Sequence, residues 1–139
     1  MIRSATAADD LSDLLSQLGY PFGADVVQRR LKRVLADEAQ AVFVAVNGSD
    51  LAGFIHIDTA SGLEYDAVGR IRALIVGEAH RNAHLGEELL ARAEEWARGR
   101  ELSTIVVYSN VIRTRARKFY ERLGYAVVKT SNIFEKHLA

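Results

Sequence analysis

The sequence predicts a single α/β domain. Its sheet is mixed, mostly antiparallel and twisted, with a central parallel strand pair and about four flanking helices. Three observations carry this. Asn47-Gly48 separates two β-rich runs, residues 41–46 and 51–57, in the pattern of an antiparallel hairpin. A β-rich run at 68–76, an amphipathic helical stretch and the β-branched run 103–108 follow in the order β-α-β, which makes those two strands parallel. The chain has 139 residues, one proline and no Ser/Gly-rich linker or repeat, so one domain over 1–139 is expected.

The elements follow in order. Thr6 and Asp9 resemble a helix start, with Leu11, Leu14, Leu15 and Leu18 on one face and Gly19 and Pro21 as the stop. Asp25 and Gln28 form a second such start, and Val27, Leu31, Val34 and Leu35 make the next buried stripe. After the hairpin, 61–66 is a polar connection, and 68–76 ends in the apolar Ala73, Leu74, Ile75 and Val76. A loop at 77–86 leads into a helix with Leu85, Leu89, Ala93, Trp96 and Ala97 on one face. Glu88/Arg92 and Glu94/Arg98 support its other face, and Gly99 ends it. A last helix at 114–123 stops at Gly124, and 125–129 and 133–138 read as closing strands.

Composition narrows the function classes. With no cysteine there is no disulfide framework, thiolate metal site or Cys nucleophile. Eighteen basic residues balance eighteen acidic ones, without the basic excess of a nucleic-acid binder. No apolar run approaches the ~20 residues of a membrane span, and residues 1–10 lack the apolar core of a signal peptide. A cytoplasmic protein without nucleic-acid or membrane partners is expected. The local cluster Arg113, Arg115, Arg117 and Lys118 fits either a solvated helix face or one that meets an anion.

The loop at 77–86 is the first functional signal. A helix N-terminus offers unpaired N–H groups and partial positive charge, to which Arg81 adds a full charge and Gly86 a close backbone approach. Spacing alone fits both a diphosphate cradle and a plain connector. The Gly-x-Gly-x-x-Gly of dinucleotide folds is absent, as is the Gly-Lys-Ser/Thr of P-loops. His80 and His84 stand four apart but lack the Glu of a zinc-binding helix, and no metal is expected.

Residues 71–95, IRALIVGEAHRNAHLGEELLARAEE, resemble motif A of the GNAT superfamily of acyl-CoA-dependent N-acyltransferases: a strand, then Arg/Gln-x-x-Gly-x-Gly/Ala, then an amphipathic helix. The resemblance implies that Arg81, Asn82, Ala83, His84, Leu85 and Gly86 grip the pyrophosphate of acetyl-CoA. His84 departs from the motif's central Gly; a positive φ there would cost about 1–2 kcal/mol. Residues 109–125 resemble motif B, whose ending F-Y-E-x-x-G-F/Y matches from Phe119 to Tyr125. Read without the family, Phe119, Tyr120 and Leu123 are a helix's buried stripe. With it, Tyr120 is implied as the general acid at the departing CoA sulfur, and Asn110 or Arg113 as a CoA contact. A backbone donor for the oxyanion is implied around Leu74, Ile75 and Val76.

The chemistry sets two demands. Proton transfer from a phenol (pKa about 10) to a thiolate (about 8.5) is uphill by roughly 2 kcal/mol, so hydrogen bonding to the sulfur suffices. An amine with pKa about 10.4 must lose a proton at a cost near 4–5 kcal/mol at neutral pH. Many relatives place a Glu near what is Arg72 here, which leaves His56, Asp58, Glu64 and Asp66 as candidate bases; Glu64 and Asp66 alternatively attract a cationic substrate. The implied activity is N-acetylation of a primary amine, on a small molecule first. The alternatives are a protein or peptide N-acetyltransferase and a non-catalytic acyl-CoA-binding regulatory domain. A monomer or homodimer is expected.

Overall fold

The computed structural model describes residues 1–81 and 84–139. Residues 1–107 form one compact unit and residues 108–139 a second. The first contains β1 (Ile2–Ser4), α1 (Ser12–Leu18), α2 (Ala24–Leu35), β2 (Gln40–Asn47), β3 (Asp50–Ala60), β4 (Val68–Val76), a 3₁₀ turn at Glu78–His80, α3 (Leu85–Gly99) and β5 (Ile105–Val107). The second contains α4 (Thr114–Arg122). The sheet runs β1-β2-β3-β4-β5, antiparallel throughout except for the parallel β4–β5 pair. That pair stands at the end of the five strands rather than at their centre. No described helix is long and apolar enough to cross a membrane.

Alternation along the strands separates two faces. Val42, Val44, Phe54 and Ile75 form a core with Leu11 and Leu14 at α1 and Val27 and Leu31 of α2. Ile55 and Ile57 face the other way, where α3 buries Leu89, Leu90, Ala93 and Ala97. Full burial of a Leu such as Leu89 stabilises by about 1.5–3 kcal/mol. Gly53 sets the depth of this packing: a Cβ there would lie 2.6 Å from the Ile75 carbonyl oxygen and 3.3 Å from Leu89 Cδ1. The hairpin closes on Gly48 and Ser49, with Asn47 opposite Asp50 and Gly48 at φ +64°.

Several sequence expectations change. Strand β1 has only three residues, too few to display alternation, yet it pairs Ile2 with Ala45 and Ser4 with Phe43. Thr6 and Asp9 form a turn ahead of α1, not its cap. The Thr6 N–H donates to Asp9 Oδ2 at 2.8 Å, and Arg3 holds the Asp9 carboxylate through two bonds of 2.9 Å. Asp10 accepts the Ser12 N–H at 2.9 Å just ahead of α1, whose N-cap, Leu11, makes no side-chain cap bond. Gly23 precedes α2 without a side-chain cap, so Asp25 and Gln28 are no capping box.

The largest correction concerns 125–129 and 133–138, which form no strands. Val128 is 91% exposed and Ile133 94%. β-rich composition needs a neighbouring edge to satisfy its N–H and C=O groups, and residues 108–139 contain no other strand to supply one.

Three helices end in the same hydrogen-bond pattern with different residues. An N–H just past the helix end reaches back five residues: Tyr20 to Leu15, Leu102 to Ala97 and Tyr125 to Tyr120. The residue before each donor is left-handed: Gly19 (φ +113°), Glu101 (φ +62°) and Gly124 (φ +94°). Gly99 is therefore the last helical residue of α3, and the left-handed stop falls on Glu101.

Candidate active site

Strand β4 does two things at once. Its pairing with β5 covers only Gly69–Ile105, Arg70–Val106 and Ile71–Val107, whereas β4 itself continues to Val76. On its other side it stays paired with β3, through Leu74–Ile55, Ile75–Phe54 and Val76–Gly53. Between these regimes lies a bulge. His56 faces Ala73 and Ile57 faces Ile71, so Arg72 has no opposite number. Residues 73–76 thus pair with β3 on one side and have no ladder with β5 on the other.

The loop beyond β4 is anchored at its start. The Gly77 N–H donates to the Ala52 carbonyl at 2.7 Å, and the Glu78 N–H to Gln17 Oε1 at 2.9 Å. Arg81 is exposed, with Nε 3.4 Å from the Val76 carbonyl oxygen. His84 is the N-cap of α3 at φ +58°, ψ +19°, and its side chain makes no cap hydrogen bond. The left-handed conformation is present at that position and is carried by a histidine, at about 1–2 kcal/mol of backbone strain. Leu85 opens the helix and Gly86 follows in its first turn. Glu87 Oε1 lies 3.8 Å from His84 Nδ1. Asn82 and Ala83 lie outside the described residues. His80 turns away from His84 toward the hairpin, with Nδ1 3.2 Å from Asn47 Nδ2 and Nε2 3.9 Å from Asp50 Oδ2.

A polar cluster spans β2, β3 and β4. Asp58 is buried, 8% exposed, and both its oxygens are taken by Arg70, at 3.0 Å from Nε and 2.8 Å from the terminal nitrogen. Arg72 approaches the same carboxylate at 3.7 Å. A carboxylate held this way is not available as a base. His56 lies beside it, with Nε2 2.7 Å from Gln40 Oε1. Burial lowers the His56 pKa below the usual imidazole value; Asp58 pulls it back up, while Arg72 and Arg70 push it down. Glu64 and Asp66 are exposed on the β3–β4 connection. Sequence reasoning missed this cluster, although its signal was there: His56-x-Asp58 and Arg70-x-Arg72 alternate on two adjoining strands, which puts four polar side chains on one face.

Residues 108–139 carry the remaining candidates. Asn110 closes a turn: its Oδ1 accepts the Ile112 N–H at 3.1 Å and its carbonyl the Arg113 N–H at 2.9 Å. Arg113 follows as the N-cap of α4. Tyr120 is half-buried, edge-on to Phe119 (5.2 Å between centroids) and to Tyr125 (5.7 Å). Burial raises the Tyr120 pKa, and Arg113 lowers it in part. None of Phe119, Tyr120 and Leu123 is fully buried, so the stripe is not a closed core. In the basic cluster, Arg117 pairs with Glu121 at 3.2 Å.

A family model described as "Acetyltransferase (GNAT) family" matches residues 8–125. A comparison with curated proteins finds no match. Among solved structures, an apo aminoglycoside 6'-N-acetyltransferase from Acinetobacter haemolyticus superposes with a TM-score of 0.85 at 16% identity, over 100% of this chain and 99% of that one. The aminoglycoside N-acetyltransferase AAC(6')-Iy in complex with CoA gives 0.88 at 17% identity, over 99% and 95%. A transcriptional regulator from Bacillus halodurans gives 0.80 at 24% identity, over 98% and 99%. At these identities the likeness is one of fold.

Proposed function

The chain belongs to the GNAT acetyltransferase family, and from that premise we propose that it transfers the acetyl group of acetyl-CoA to a primary amine of a small molecule. One observation carries the reading: β4 leaves β5 after Ile71 and runs on to Val76 with an open edge, next to a loop that enters a fifteen-residue helix.

In this reading acetyl-CoA supplies an activated acyl carbon as a thioester. The chain's own groups bind and orient it. The edge of β4 at Leu74, Ile75 and Val76 holds the amide-bearing arm in strand-like register, and a backbone N–H there donates to the carbonyl oxygen as negative charge develops. The loop from Arg81 through Asn82, Ala83, His84 and Leu85 to Gly86 takes the pyrophosphate, with helix N–H groups and the Arg81 guanidinium opposing its charge. Asn110 and Arg113 are the proposed further contacts. Tyr120 is the proposed general acid. Its raised pKa keeps the phenol protonated at neutral pH, so it can hydrogen-bond the departing sulfur. Glu64 and Asp66 are the proposed attraction for a cationic acceptor. Fold neighbours named as aminoglycoside acetyltransferases support a small-molecule amine over a peptide.

Calorimetry with purified protein tests the first half. Acetyl-CoA is expected to bind in the micromolar range and NADH not to bind, and Arg81→Ala is expected to weaken binding about tenfold, the loss of roughly one charge-assisted contact. Free-thiol release with a panel of amino acids, polyamines, aminoglycosides and peptides tests the second half. No binding at millimolar acetyl-CoA would overturn the reading.

A further inference from the structure

A hydrogen-bonded chain crosses the sheet beside the bulge, and the reaction as proposed so far does not use it. Asp37 Oδ2 accepts from Gln40 Nε2 at 2.9 Å, and Gln40 Oε1 faces His56 Nε2 at 2.7 Å. A carboxylate only accepts, so the Gln40 amide nitrogen faces Asp37 and its oxygen faces the imidazole. An oxygen only accepts, so His56 Nε2 carries the hydrogen. A neutral imidazole carries one hydrogen, and the lone pair is therefore on Nδ1. Among the described residues Nδ1 has no hydrogen-bond partner, yet no buried polar side-chain atom is left unpaired. Nδ1 is therefore open to solvent. His56 stands opposite Ala73, beside the extra residue Arg72 and one position from Leu74, where the open edge of β4 continues.

We propose that His56 is the general base of the acyl transfer, with Gln40 and Asp37 as positioning residues; this rests on the acetyltransferase reading. An N–H bond of the acceptor ammonium breaks and its proton bonds to Nδ1. The nitrogen keeps the electron pair and forms the C–N bond to the acyl carbon as the C–S bond breaks. The second proton lost from nitrogen ends on the departing sulfur, and His56 passes its own to solvent. Other carboxylates fit less well: Asp58 is committed to Arg70, and Glu64 and Asp66 lie exposed on the connection. The charged groups acting on His56 are Asp58 on its own strand and Arg70 and Arg72 on β4. Burial and the two arginines outweigh Asp58, which keeps the imidazole neutral, and so able to accept, at pH 7.

Two measurements test this. Nitrogen-edited NMR of the ligand-free protein is expected to show His56 as the Nε2–H tautomer, titrating below pH 6.5; a dominant Nδ1–H tautomer overturns the proposal without any variant being made. In steady-state kinetics, His56→Gln is expected to lower kcat/KM about 10²–10³-fold and to abolish the acid limb of its pH profile. Acetyl-CoA affinity should be unchanged, and the deficit should shrink at high pH, where the amine is deprotonated in solution. Imidazole added to His56→Gly is expected to restore part of the rate, which a purely structural role would not allow. Gln40→Leu is expected to lower kcat/KM less and to mix the two tautomers. Should wild-type protein turn over while His56→Gln keeps its rate and acid limb, His56 is not the base and the acetyltransferase reading stands. Should wild-type protein acetylate no amine in the panel, that reading falls and the assignment of His56 falls with it.

Discussion

Residues 1–107 and residues 108–139 are built on opposite terms. Every buried apolar side chain among the described residues belongs to the first stretch; the second has none, and Ile133 and Phe134 are more than nine-tenths exposed. Yet the second carries Tyr120, the group proposed to act on the leaving sulfur. Stability is thus concentrated in one region and a proposed chemical step in the other, so substitutions should separate the two properties.

The sharpest separation is expected from Tyr120→Phe. It should lower kcat about 10²–10⁴-fold, as loss of a general acid does, with the melting temperature within a degree or two of wild type; equal rates for the two proteins would remove Tyr120 from the mechanism. The converse is Leu89→Ala, at a fully buried position. It should cost about 2–5 kcal/mol in urea unfolding, while Ile133→Ser in the exposed tail stays within about 0.5 kcal/mol. If both cost the same, the tail is buried in solution and the contrast fails.

Smaller effects are expected at the helix ends, where both stretches use one motif. Glu101→Gly should stabilise by about 1 kcal/mol by relieving a left-handed residue, and Gly124→Ala should destabilise by a similar amount, both read from thermal unfolding. Least in size is a pH effect at Asp9. Its hydrogen bonds with Arg3 lower its pKa in the folded state. The stability it contributes is complete above about pH 4, the unfolded carboxyl value, and is lost as pH falls through the lower folded value. Asp9→Asn should therefore flatten the dependence of melting temperature on pH below about 4 and leave its shape at pH 7 unchanged.

The same contrast explains which parts of the molecule were legible. Strands β2, β3 and β4 bury side chains on both faces of the sheet, helices α2 and α3 each bury one face against it, and the periodicity states which residues are buried. Residues 125–129 and 133–138 have strand-like composition, but a strand is a property of two segments, and composition describes one. Thr6 and Asp9 illustrate a shorter-range limit. The pattern correctly marks a local N–H to carboxylate bond, but that bond closes a turn because Arg3 on β1 claims the same carboxylate. At the candidate site, motif A led to the loop and marked His84 as the position where a positive φ would be costly, whereas the bulge at Arg72 arises from the offset between two ladders, which no single strand reveals.

That offset bears on chain length. Without Arg72, Ala73 would follow Ile71 directly, and the partners His56 and Ile57 on β3 are already consecutive. The ladder closes without the extra residue; the sheet carries one amino acid more than its pairing requires. A protein lacking residue 72 should thus still fold, with a straighter fourth strand, and deletion at this one position would distinguish what the sheet needs to exist from what it needs to open.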